Sequence, residues 1–155
     1  MNDHAVRDVL AKLLAWEDTH VGFDTAVADI PEEYRGTRAG AHSPWEIVEH
    51  MRIAQHDILD FSRNSAYKEM EWPKDYWPQT PAPSSPGAWD DSLAAFRRDR
   101  DALRQMALDT SIDLTAKIPH GEGQTYLREL LLVVEHTSYH VGQLVLVRKA
   151  LGIWK

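Results

Sequence analysis

Apolar residues recur along this chain at helical rather than alternating spacing. From Asp3 to Asp29 they fall at Val6, Val9, Leu10, Leu13, Trp16, Val21, Phe23 and Val27, which predicts a first helix ended by Pro31. The second pattern carries its own start signal. Ser43 can cap the free amides, Pro44 suits the first helical position, and Glu46 stands where a capping box needs its carboxylate. Ile47, Met51, Ala54, Ile58 and Phe61 then form the apolar stripe. His50 falls on that stripe, and His56 falls well round the helix, toward the surface. A third helix is predicted from Pro86 or Trp89 to Thr110, with Leu93, Phe96, Leu103, Met106 and Ala107 facing inward. A fourth starts after Thr125 and runs through Leu127, Leu130, Leu131, Val134, Leu144 and Val147 to Leu151, where Gly152 is a suitable stop. No repeat or hairpin pattern competes. The expectation is an all-α fold, a four-helix bundle forming one domain over residues 1–155.

The connections are unequal. Between Asn64 and Trp89 lie five of the eight prolines, together with Trp72, Tyr76 and Trp77, so this segment cannot continue a helix and makes a long crossover between helices 2 and 3. Its aromatics argue for order. It is either a strap over the core or a wall or lid of a pocket. The segment SIDLTAKIPHGEGQ before the fourth helix is rich in turn residues, with a short extended piece conceivable over Ile112 to Ile118.

At 155 residues the chain can bury a substantial core without a metal or disulfide to hold it. It has no cysteine, so any metal must be held by nitrogen and oxygen, and the composition fits a reducing compartment. The net charge of -7 and the scattered Lys and Arg residues speak against nucleic acid. Asp3, Arg7 and Asp8 stand where a signal peptide needs an apolar core, and the longest aliphatic run, Leu130 to Val134, is too short to span a membrane. The expected location is the cytoplasm, with no membrane partner.

The chemistry concentrates in EHTSYHVGQLVLVRKAL. Here His136 and His140 lie four residues apart, so a helix projects both imidazoles from one face. A pair at this spacing is common by chance among eight histidines. It gains weight because both stand in an otherwise apolar helix, and because His50 lies on the apolar stripe of another. Three neutral imidazoles suit a divalent ion and leave coordination positions open, whereas a structural zinc site closes with four protein ligands. A zincin is excluded, since Thr137, Ser138 and Tyr139 separate the histidines and the glutamate of HExxH is missing. Around the trio, Gln143 can reach the pocket, Glu135 points outward, and Glu46 either caps its helix or orients His50. His20 and Asp24 are expected to be partly exposed, and His120 to sit exposed in its turn.

The segments SPWEIVEHM and EHTSYHVGQLVLVRKALG together resemble the two signature segments of the DinB-like superfamily, which includes YfiT-type metal hydrolases. The likeness extends over nearly the whole chain in helix order, long crossover and histidine spacing. It implies a four-helix bundle and a metal held by one histidine of the second helix and two of the last, here His50, His136 and His140. It also implies either hydrolysis or thiol-dependent transfer, since relatives use bacillithiol, mycothiol or glutathione. The cofactor expected on this footing is one divalent metal ion, zinc or nickel first, manganese or iron next. The partners expected are a small-molecule substrate, a low-molecular-weight thiol among the options, and a second copy of the chain in a homodimer. The alternative is a metal-binding or assembly module without turnover, and a bundle without metal ranks third.

Overall fold

The computed structural model describes residues 3–15 and 19–155. Among the described residues five α-helices follow in order: α1 (Asp3–Leu13), α2 (Phe23–Val27), α3 (Pro44–Arg63), α4 (Ala88–Leu108) and α5 (Tyr126–Ala150). Among the described residues there is no strand. The segment around Ile112 to Ile118 contributes only an isolated bridge between Lys117 and Thr125. The fold is an all-α bundle in which α3 packs against both α4 and α5, α1 closes against α4 and α5, and α2 lies on α5.

Helices α3 and α5 start where a capping side chain directs. Ser43 Oγ accepts from the Glu46 amide while the Glu46 carboxylate accepts from the Ser43 amide at 2.8 Å, closing a capping box with Pro44 in the first turn. Glu46 is therefore engaged at the cap, and Arg38 adds a second ion-paired hold on the same carboxylate. The Thr125 hydroxyl accepts from the Arg128 amide, and α5 ends at Gly152, whose φ of 72° is left-handed backbone open to glycine.

The first helix is shorter than its periodicity predicts. It ends at Leu13, and a separate turn of helix, α2, begins after Gly22, a residue that favours neither helix nor strand. Trp16 lies outside the described residues. The break lets Phe23 stack on Phe96 of α4, with ring centroids 3.8 Å apart, while Ala26 and Val27 join the core. Val6 and Val9 are exposed, and the buried face of α1 instead carries Arg7, Leu10 and Ala11. Arg7 donates to the carbonyls of Ala107, Asp109 and Ile112, supplying partners that the end of α4 lacks within the helix.

Two apolar clusters fill the bundle. One gathers Phe23, Trp45, Ile47, Met51, Trp89, Phe96 and Leu144; the other gathers Leu10, Leu59, Leu103, Met106, Leu130 and Val133. Along α5, Leu130 and Val133 belong to the second cluster and Leu144 and Val147 to the first, with His136 and His140 between them. By length and composition α5 is long and apolar enough to cross a bilayer; in the bundle it packs against α1, α2 and α3.

Candidate metal centre

The polar gap between those clusters is where the three expected imidazoles meet. His50 is buried on α3, its place on the apolar stripe forcing the ring inward; His140 is buried on α5, and His136 lies one turn earlier, partly buried. Nε2 of His50 is 3.1 Å from Nε2 of His140 and 3.1 Å from Nε2 of His136. The candidate ligand atoms of all three lie within 4.8 Å of one another.

The opposite edges of two rings decide what those nitrogens present to one another. Nδ1 of His50 lies 2.8 Å from the carbonyl oxygen of Tyr76, an acceptor only, so Nδ1 carries the hydrogen. Nδ1 of His140 donates in the same way to Oε1 of Gln143 at 2.8 Å. In the neutral rings both Nε2 atoms are then bare lone pairs, and two lone pairs 3.1 Å apart cannot hydrogen-bond. A cation between them removes the conflict. Zinc–imidazole bonds of about 2.0–2.1 Å can reach nitrogens at this separation from one point, so the residues present fit a divalent ion.

A proton is a poor substitute for that cation. Burial lowers the pKa of His50 to about 4, against the Tyr76 carbonyl, which favours the charged ring. Burial lowers that of His136 to about 3, with the neighbouring His140 and His50 working in the same direction, and lowers His140 as well. At neutral pH the trio is uncharged, which is the form that binds metal.

The three rings open on a cavity of about 440 Å³ that is also lined by His42, Trp72, Trp77, Glu135, Tyr139 and Gln143. The crossover is both strap and wall: Tyr76 holds His50 through its carbonyl, while Trp72 and Trp77 face the cavity. Trp89, at the end of that segment, turns away into the core. Trp77 stacks on His50 with centroids 3.9 Å apart and planes 1° from parallel. Gln143 reaches the site as its spacing from His140 suggests, and Glu135 is exposed yet borders the cavity. Glu46 does not orient His50. His56 is exposed and bonded to Asp99, His120 is exposed and bonded to the Phe61 carbonyl, and Asp24 pairs with Arg97 and Arg100. His42 and Trp77 are the site residues that periodicity misses, because both stand in connections where no helical repeat marks an inward position.

An all-helical bundle with three imidazole nitrogens gathered between two helices defines the class: a helical bundle whose histidine cluster could hold a metal ion. The family comparison is specific. The model of the DinB superfamily matches residues 15–144, a span that includes His50, His136 and His140, and the chain belongs to that superfamily. No curated protein and no solved structure matches the chain.

Proposed function

We propose that the chain holds one divalent metal ion on His50, His136 and His140 and acts as a metal-dependent hydrolase or thiol-dependent transferase on a small molecule. The observation that carries this reading is the pair of bare Nε2 atoms on His50 and His140, 3.1 Å apart with their other nitrogens already committed as donors. A nitrogen-only, neutral donor set suits zinc or nickel best, and manganese or iron after them. Such an ion supplies Lewis acidity for a carbonyl, for water, or for an incoming thiol.

The protein supplies the rest. The Tyr76 carbonyl and Gln143 fix two of the imidazoles in the metal-binding tautomer, and the Trp77 indole holds the His50 plane by stacking. Trp72, Trp77 and Tyr139 give the cavity apolar walls, and its volume suits a small molecule. The same reading includes a cytoplasmic location and a homodimer. Leu131, Tyr139 and Leu146 leave large apolar groups exposed on α5, a face that a second copy would cover.

Cobalt in place of the native metal tests the site and its access together. The ligand-field spectrum is expected to change on addition of small thiols, and metal-dependent turnover of activated esters or of thiol-acceptor electrophiles is expected to vanish in His136→Ala. Cobalt uptake with no turnover in either panel, under any of the four native candidates, would replace the enzyme by a metal-binding module.

A further inference from the structure

Four imidazoles, not three, line the cavity. His42 lies in the connection just ahead of the Ser43 cap, and its ring stacks on Trp77 with centroids 4.2 Å apart and planes 14° from parallel. Trp77 stacks in turn on His50. The indole thus separates the two imidazoles, and His42 stands outside the group of nitrogens that converge on one point. It borders the same space without sharing the same ion.

The tautomer of His42 follows from its surroundings. Its Nδ1 is enclosed and meets no hydrogen-bond partner. An enclosed N–H without an acceptor is the rarer and costlier of the two possibilities, so the neutral ring leaves Nδ1 bare and carries its hydrogen on Nε2. With Nδ1 enclosed, Nε2 is the polar atom that the partly exposed ring can offer to the cavity it lines.

We propose that His42 is a substrate-binding residue whose Nε2–H donates to a carbonyl or carboxylate oxygen of the molecule that reaches the three-histidine centre. The inference rests on the metal reading above and narrows its substrate class. The occupant carries two groups: a head that seeks the metal, such as a thiol or an ester carbonyl, and an oxygen acceptor that reaches the His42 side of the Trp77 indole. Glu135, on the cavity border, places a carboxylate in the same surroundings and so favours an uncharged carbonyl over a second carboxylate.

The test uses the full-length, cobalt-loaded protein and three thiols of equal chain length: propanethiol, 3-mercaptopropanamide and 3-mercaptopropanoate. Affinities are read from the cobalt–sulfur absorption. His42→Phe keeps a ring for Trp77 to stack on but removes the donor. The quantity compared is the affinity of each oxygen-bearing thiol relative to propanethiol. In the variant that ratio is expected to fall about 10-fold for at least one of the two, as loss of one hydrogen bond implies, while cobalt content and propanethiol affinity hold. His42→Gln, which keeps a donor, is expected to recover part of the ratio. The arm that falls further tells a carbonyl from a carboxylate. An unchanged ratio, an equal weakening of all three thiols, or loss of cobalt from His42→Phe would each overturn the assignment, the second by reducing His42 to a support for the stack. Wild-type protein that takes up no cobalt overturns the metal reading itself and this inference with it.

Discussion

The seam between α3 and α5 carries two polar regions of opposite character. Toward the crossover wall, His50 and His140 bring together two bare Nε2 atoms that cannot satisfy each other, with His136 Nε2 beside them. Farther along α3, a second cavity of about 550 Å³ is bordered by Asp57, Tyr67, Tyr76 and His120, and there both tyrosine hydroxyls and the His120 Nε2 find acceptors. Asp57 accepts from Tyr67 at 2.8 Å and Tyr76 at 2.7 Å, and His120 donates to the Phe61 carbonyl at 2.6 Å. Tyr76 serves both regions, its hydroxyl completing one and its carbonyl fixing His50 in the other. Having a histidine beside a cavity is thus not what marks a metal centre. The mark is a pair of acceptors, His50 and His140 Nε2, aimed at one point with their own hydrogens committed elsewhere, since buried polar groups otherwise find partners.

The contrast breaks most sharply by deletion. His50→Ala, His136→Ala and His140→Ala are each expected to lose nearly all bound metal, while His56→Ala and His120→Ala, taken from satisfied pairs, keep it. Metal analysis of the five purified variants reads the result, and equal metal in all five would dissolve the difference between the two regions.

A smaller effect is expected one step back from the trio. Gln143→Leu removes the acceptor that holds hydrogen on His140 Nδ1, freeing the ring to flip its tautomer and turn a hydrogen toward its neighbour. Loss of such an orienting partner typically costs about 10- to 100-fold in metal affinity. Competition against a chelator of known strength measures it. Gln124→Leu, in the turn beside the second cavity, serves as the matched control and is expected to leave affinity unchanged.

How much of this could be read in advance depended on whether a residue sits in a repeating element. The starts of α3 and α5 were legible because Ser43, Pro44, Glu46 and Thr125 act within one turn of chain. The trio was legible because an imidazole on an apolar stripe must turn inward. The buried face of α1 was not, since Arg7 is buried to meet carbonyls about a hundred residues away, a demand with no local trace. His42 and the Tyr76 carbonyl were equally hidden, and Trp77 was legible only as part of a segment that is either strap or pocket wall. His42 is a loop side chain whose direction no periodicity sets, and the carbonyl is a backbone atom, whose role is independent of which residue carries it.

The last and smallest expected effect is on stability as a function of pH in the metal-free protein. In the folded chain burial holds His50 near a pKa of about 4 and His136 near about 3, whereas an unfolded imidazole titrates near about 6.5. As pH falls below that value, the unfolded chain takes up protons that the folded chain refuses. The contribution of these two groups to stability therefore declines with falling pH from about 6.5 down to about 4 for His50 and about 3 for His136, and is flat above about 6.5, with a slope of at most about 1.4 kcal/mol per pH unit for each histidine. Urea unfolding of chelated protein across the range measures the slope. His50→Asn and His136→Asn are each expected to flatten it, because each removes one group that resists protonation. His56→Ala is expected to leave this part of the slope in place, since His56 is exposed and lies outside the buried trio. A slope that survives both asparagine variants unchanged would mean that the trio protonates freely in the folded state, and the lone-pair conflict that distinguishes it from the Asp57 region would be relieved by a proton rather than by a metal.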